Sequence, residues 1–463
     1  MRMPTNDALL GMLPEHLLLG GIVAAIITVL LRQGRTLALP VAVMSVLAAA
    51  AAAFWLGAGG TTLEPFPGQF VVTPPVLMTK GMLLLLAVPV LLMSRTEFED
   101  GEFSILLLSS LYGMSLLPSA ASALVLFLGL ELMSIPVYAL IVLAFRRPQS
   151  AESALKYLVL SGAASAMFLM GLSLIYGETG SLSMTAFAQS VTASDPLTRT
   201  AVVLVVSALF LKGAVVPFHA WAPDTYEGAS IPVTAFMATL SKGGVMLVAW
   251  RLFDGAELTG PLVGIVAVLP LVSIVWGNIA AIRQQNFRRM IAYSSIAHAG
   301  YLFYAMLGSS AGRLEAITFY VVVYAAANLL AFAMMPTAAT DEERDRMDRL
   351  DGLFHRDPLA ASLIAVAMLS LAGLPPLPGF TAKFLIFRSV VAAGYSAYAV
   401  LGLIGSFLGL YFYLRVIQRM FMSAGEGART TGNGQALARV AGVLCLLATA
   451  VLTIAPGWAL ARL

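Results

Sequence analysis

Residues 200–232 read TAVVLVVSALFLKGAVVPFHAWAPDTYEGASIP. The opening run is apolar enough for the middle of a membrane helix, yet Lys212 closes it and Pro217 follows five residues later. A charge at the bilayer centre costs about 2.5–3.5 kcal/mol on insertion scales, so a lysine there points to function. Proline removes a backbone N–H and breaks the ladder. Interrupted backbone is tolerated at membrane depth only where protein or internal water satisfies it. The stretch therefore reads as a broken membrane helix that opens polar space for a lysine able to gain and lose a proton.

The remainder of the chain supports a membrane setting. Of 463 residues, 59% are apolar and 11% charged, against about 25% charged in soluble domains. Mean hydropathy is +0.89. No alternating segments of the kind that build a membrane barrel occur. The single Cys445 excludes a disulfide framework, and the first apolar run reads as an uncleaved span.

The expected fold is all-α and polytopic, with about fourteen spans. They fall near 14–32, 36–57, 75–94, 103–119, 121–145, 151–176, 198–219, 228–253, 261–283, 287–309, 313–337, 356–394, 397–422 and 436–461. The stretch 341–358 reads as a loop. Arginines cluster after odd-numbered spans, as at Arg32, Arg35, Arg95, Arg146, Arg147, Arg283, Arg288 and Arg289. By the positive-inside rule those connections are cytoplasmic and both termini lie outside. The expected setting is the bacterial plasma membrane with periplasmic termini.

The twelfth run is interrupted by GLPPLPGF (373–380), as the seventh is at Pro217. An odd separation of five spans makes spans four to eight and nine to thirteen inverted units. Paired broken helices in inverted repeats are how many ion-coupled membrane proteins build midplane sites. The expected division is 1–102 as a three-helix segment, 103–253 and 254–422 as the two five-helix repeats, and 423–463 as a last helix.

Of the 27 basic residues only five are lysines, and all five fall inside predicted spans. Arginine stays protonated, whereas a desolvated lysine can exchange its proton near neutral pH. Lys80, close to its span's start, reads as snorkelling. Lys156 follows Glu152 by four residues and reads equally as a helix-surface ion pair. Lys212, Lys242 and Lys383 sit deep or beside breaks and are the functional candidates, with Gly243 and Gly244 allowing close helix approach at Lys242. Glu131, in LFLGLELMSIPVYAL, is the one plainly mid-membrane carboxylate and needs Lys212 or Lys156 as a partner. His298 reads as a proton carrier or as a hydrogen-bonded core residue. The breaks predict hydrated pockets at Lys212 and Lys383.

No GxGxxG follows a strand and no P-loop appears, while four histidines and one cysteine cannot hold haem or an iron–sulfur cluster. Redox chemistry would belong to another chain.

VPFHAWAPDTYEGAS (216–230), the SKGG around Lys242, SSIAHAGY (294–301) and GLPPLPGFTAKF (373–384) resemble the antiporter-like subunits of complex I, the proton-pumping NADH:quinone oxidoreductase. ESALKYLVLSGAASAMFLMG (152–171) is similar to the N (subunit 2) branch. The resemblance covers nearly the whole chain and extends to cation/proton antiporters and membrane-bound hydrogenases. It implies a proton-translocating subunit driven by quinone reduction elsewhere. Glu131 and Lys212 would form the first half-channel and Lys242 the central relay, with His298 next and Lys383 at the end. Lys156 would be an extra lysine of the N branch. Lysine at 383, where M-type relatives have glutamate, implies N or L, and the long lateral helix of the L-type has no counterpart here. Glu227 with Ser230 is a small departure outside the path. No cofactor is implied on this chain; FMN, iron–sulfur clusters and quinone would sit in partner subunits. The implied partners are the M-type subunit, the small K-, J- and A-type subunits and the lipid bilayer, with no nucleic acid. The alternative is a subunit of a cation/proton antiporter or membrane-bound hydrogenase.

Overall fold

The structure, a computed structural model, describes residues 5–144, 148–256, 258, 260–336, 345–423 and 435–462. Long helices dominate, numbered here with the short turns left aside. They begin with α1 (Leu13–Leu30) and α2 (Leu39–Ala58). A small antiparallel hairpin follows, β1 (Leu63–Phe66) and β2 (Phe70–Val72). Then come α3 (Pro74–Ser94), α4 (Glu102–Leu116), α5 (Ala123–Val142), α6 (Pro148–Thr179) and α7 (Pro196–Gly213). Short helices α8 (Trp221–Gly228) and α9 (Ile231–Phe236) lead through a π turn to α10 (Lys242–Phe253). The chain continues as α11 (Pro261–Ile282), α12 (Phe287–Tyr304) and α13 (Arg313–Ala333). Last are α14 (Pro358–Ala372), α15 (Pro378–Ala392), α16 (Ser396–Met422) and α17 (Gln435–Ile454).

Among the described residues, 11 helices are long and apolar enough to cross a membrane, with Ile231–Phe253 counted as one. The sequence suggested about fourteen. The difference lies in α4, in the more polar α12, and in the twelfth run, which the structure divides into α14 and α15 of 15 residues each. The hairpin at 63–72 was not expected. The stretch read as a loop holds helical turns at Met347–Leu350 and Leu353–Arg356. Arg146 and Arg147, used above for topology, lie outside the described residues.

The α9–α10 stretch, α13 and α3 form the interior; 100%, 94% and 83% of their apolar windows are buried. A helix apolar all round belongs inside, or against lipid. The outer helices show the second case: Phe407 is 77% exposed, and Ile404 and Leu447 also face outward. Gly243 and Gly244 make the interior packing possible. A side chain at 243 would strike Val321 of α13, and one at 244 would strike Met133 of α5.

Two helices end just before the prolines noted in the sequence. Helix α7 stops at Gly213, where Ala214 takes a left-handed conformation, and α14 stops at Gly373, also at positive φ.

Candidate functional site

Glu131 and Lys212 meet. Lys212 Nζ donates to Glu131 Oε1 at 3.1 Å, to Ser161 Oγ at 3.1 Å and to Ser134 Oγ at 3.4 Å. Ser165 Oγ donates to the same carboxylate oxygen at 2.5 Å. Glu131 and Ser134 share one face of α5, as Ser161 and Ser165 share one face of α6, because residues three and four apart are helical neighbours. The Lys212 side chain is 5% exposed and that of Glu131 20%. Of the two partners left open for Glu131, the geometry selects Lys212.

Lys156 stands apart. Its side chain is 41% exposed and pairs with Glu152 at 2.7 Å and Asp224 at 2.8 Å. Arg289 of α12 closes the cluster, reaching Asp224 at 2.8 Å and Glu227 at 2.9 Å. Burial pulls the Asp224 carboxyl up, but hydrogen bonds from Lys156 and Arg289 outweigh it and hold the group below its ordinary value. The cluster ties α6, α8 and α12 together at the surface. Glu227, set aside on sequence, belongs to it.

Lys242 is buried directly after the π turn Met237–Ser241, and its Nζ donates to the Ser295 carbonyl at 2.5 Å. Single π turns recur at functional positions. His298 lies one turn along α12 from Ser295. Its Nδ1 meets the Tyr320 hydroxyl at 2.9 Å and its Nε2 the Tyr413 hydroxyl at 3.2 Å. The structure thus keeps the ring hydrogen-bonded on both nitrogens inside the core. Lys383 Nζ donates to the carbonyls of Leu371 (3.1 Å) and Ala372 (2.9 Å) and to Ser406 Oγ (3.0 Å), filling all three ammonium donors. A small cavity touching His298, Tyr320, Tyr324, Ser370 and Lys383 joins the last two candidates. Gly373 is needed there, since a side chain at its positive φ would meet the Lys383 chain.

Protein groups supply partners at both breaks. The Trp221 indole N–H donates to the Leu211 carbonyl at 2.8 Å, and Ser273 Oγ accepts from Val216 N at 2.8 Å. At the second break Lys383 itself takes the freed carbonyls.

Sequence reasoning misplaced Lys80. It does not reach toward a polar surface: its Nζ donates to Glu15 Oε1 at 2.7 Å, and both side chains are 0% exposed. Phe70 of the unforeseen hairpin covers the ammonium. The partners stand 65 residues apart, and the one available signal was an acid in the first turn of an apolar run. Tyr320, Tyr413 and the serines around Lys212 were also missed. Among the described residues no cluster of three His, Cys, Asp or Glu side chains could hold a metal.

Residues 120–409 match the family described as NADH:quinone oxidoreductase/Mrp antiporter, TM. Over 443 residues the chain is 37% identical to NADH-quinone oxidoreductase subunit N of Pelobacter propionicus, covering 93% of each. The chain belongs to the NADH-quinone oxidoreductase subunit N family. It is also 36% identical to the subunit N of Syntrophotalea carbinolica, across 98% of this chain and 97% of that one. Among solved structures, a chain of respiratory complex I from Thermus thermophilus with bound aureothin superposes with a TM-score of 0.83 at 34% identity, covering 96% and 98%. A chain of the Mrp complex from Dietzia shares the fold, at TM-score 0.84 and 20% identity over 99% and 96%. All six candidates, from Glu131 to Lys383, fall within the family match; Glu15 and Lys80 fall before it.

Proposed function

We propose that this chain is a proton-translocating membrane-arm subunit of an NADH:quinone oxidoreductase. The observation that carries the reading is the run of buried ionisable side chains from Glu131–Lys212 through Lys242 and His298 to Lys383. Lysines there can hold and pass protons, and their cost inside an apolar body argues against a merely structural role. Glu131 holds Lys212 in the first half-channel and sets its proton affinity through the 3.1 Å pair. Lys242 is the central relay. His298, bonded to two phenols, hands on to Lys383 across the shared cavity. Lys156 lies on the surface cluster at the α6 end of the path and supplies protons to it.

The finer architecture belongs to the same reading: about fourteen spans, inverted units at 103–253 and 254–422, broken seventh and twelfth spans, and flanking segments 1–102 and 423–463. The arginine-rich connections face the cytoplasm of a bacterial cell, with both termini periplasmic. FMN, iron–sulfur clusters and quinone lie in partner subunits. The M-type and the small K-, J- and A-type subunits flank this one in the bilayer. The Mrp-like fold supports a second reading, a cation/proton antiporter subunit without redox partners.

The test is Lys242→Ala in the whole complex. Assembly at wild-type amounts with NADH:quinone activity and pumping falling together, by at least about tenfold, is the expected outcome. Full activity in the assembled variant removes Lys242 from the path, and proton movement without any NADH:quinone activity selects the antiporter reading.

A further inference from the structure

The Glu15–Lys80 pair belongs to neither the row of candidates nor the matched segment. Its carboxylate is only half satisfied: Oε1 receives Lys80, while Oε2 is buried with no hydrogen-bond partner. Phe70 lies over the ammonium at 4.7 Å from the ring centre. Tyr112 of α4 is a further titratable side chain facing Glu15, and Glu15 is the charge acting on Lys80. Beside Lys80, Thr79 meets Thr318 of α13, hydroxyl to hydroxyl at 3.2 Å. The same helix presents Tyr320 to His298. Helix α3 therefore ties the pair to an element of the candidate path.

A buried ion pair is a poor stabiliser, since apolar residues of similar volume often serve at least as well. A bare buried carboxylate oxygen calls for an explanation beyond holding the fold.

We propose that Glu15 and Lys80 form a second proton-holding pair, in the N-terminal helices, coupled through α3 and α13 to the His298–Lys383 end of the path. One proton taken up at Glu15 Oε2 leaves a neutral carboxylic acid beside protonated Lys80; its release restores the ion pair. Net charge changes by one and nothing is oxidised or reduced. The proposal rests on the translocation reading above.

The test uses the assembled complex in native membranes with E15L/K80M, which keeps volume and removes both charges, and E15Q/K80M, which keeps a polar amide that cannot ionise. K80R, which retains the pair and its carboxylate, is the conservative control. Either neutral variant is expected to assemble normally, pump at least about twofold fewer protons per electron and show a changed pH profile, with K80R close to wild type. A wild-type ratio and pH profile in an assembled neutral variant overturns the proposal. Failure of both neutral variants to assemble assigns the pair to holding the fold and overturns it as well. If Lys242→Ala pumps normally, the path on which this proposal rests loses its central relay; if Lys242→Ala is inactive and E15L/K80M is normal, only this proposal falls.

Discussion

At Lys212, two roles for one positive charge make opposite predictions. If the charge only balances Glu131, Lys212→Arg should work nearly as well, because guanidinium pairs with carboxylate at least as strongly. If the proton must leave in each cycle, arginine fails, since it keeps its proton at any accessible pH. The expected outcome is an assembled complex with pumping reduced at least tenfold (about 1.4 kcal/mol or more on the limiting barrier), and Lys212→Ala similarly poor. Near-normal pumping in the arginine variant would assign the position to charge alone. The choice of lysine over arginine was readable in the sequence because it follows from residue chemistry. The fate of Lys80 was not: its distance from the span's start suggested snorkelling, and only the fold brings Glu15 and Phe70 onto it. The same limit hid the phenols on His298, which come from α13 and α16.

Among the elements, the ends of α7 and α14 solve one problem with different side chains. Beyond α7 the Leu211 carbonyl accepts from the Trp221 indole at 2.8 Å and from Ala214 N at 3.3 Å. Trp221→Phe keeps an apolar ring and removes the shorter of the two donors, leaving only the longer bond from Ala214 N, a loss of about 0.5–1.5 kcal/mol. A lower melting temperature of the complex, with proton-to-electron ratio unchanged, is the expected result; an unchanged melting temperature would mean another donor replaces the indole. Where α7 and α14 stop was legible, since Pro217 and the 373–380 prolines lie just beyond them. What supplies partners there was not, because Trp221 and Ser273 act across turns and between helices. Helix α8 offers a second test. The folded-state value of Asp224 is depressed by Lys156 and Arg289 against the pull of burial. Its contribution is therefore present above the unfolded carboxylate value of about 3.9 and lost as pH falls through the lower folded value. Asp224→Asn should speed amide exchange in α8 at pH 7 while converging with wild type in strong acid. Equal exchange rates at pH 7 would show that the cluster does not hold the helix.

For the whole molecule, charge placement and burial have to agree on one orientation. The interior helices are sealed on all sides and the outer ones turn apolar residues outward, so the body tells which surfaces meet lipid but not which end faces the cytoplasm. That information lies in the connections. Arg283, Arg288 and Arg289 gather around the α11–α12 turn, whereas residues 180–195 between α6 and α7 carry no basic residue and Arg199 stands alone in the first turn of α7. Basic residues near span ends resist translocation, so the arginine-rich turn should remain inside. Gln285 is an exposed residue of the α11–α12 turn, and Glu178 an exposed one in the last turn of α6. With the buried Cys445 out of reach of a membrane-impermeant maleimide, cysteines placed at these two sites report one side each. Gln285→Cys should be labelled only in inside-out vesicles, and Glu178→Cys only in right-side-out cells. The two must differ whatever the absolute orientation, because they lie at the two ends of an odd number of crossings, α7, α9–α10 and α11. Labelling of both from one side would therefore break the span count itself, whereas a clean exchange of sides would leave the count intact and put the arginine-rich turn outside.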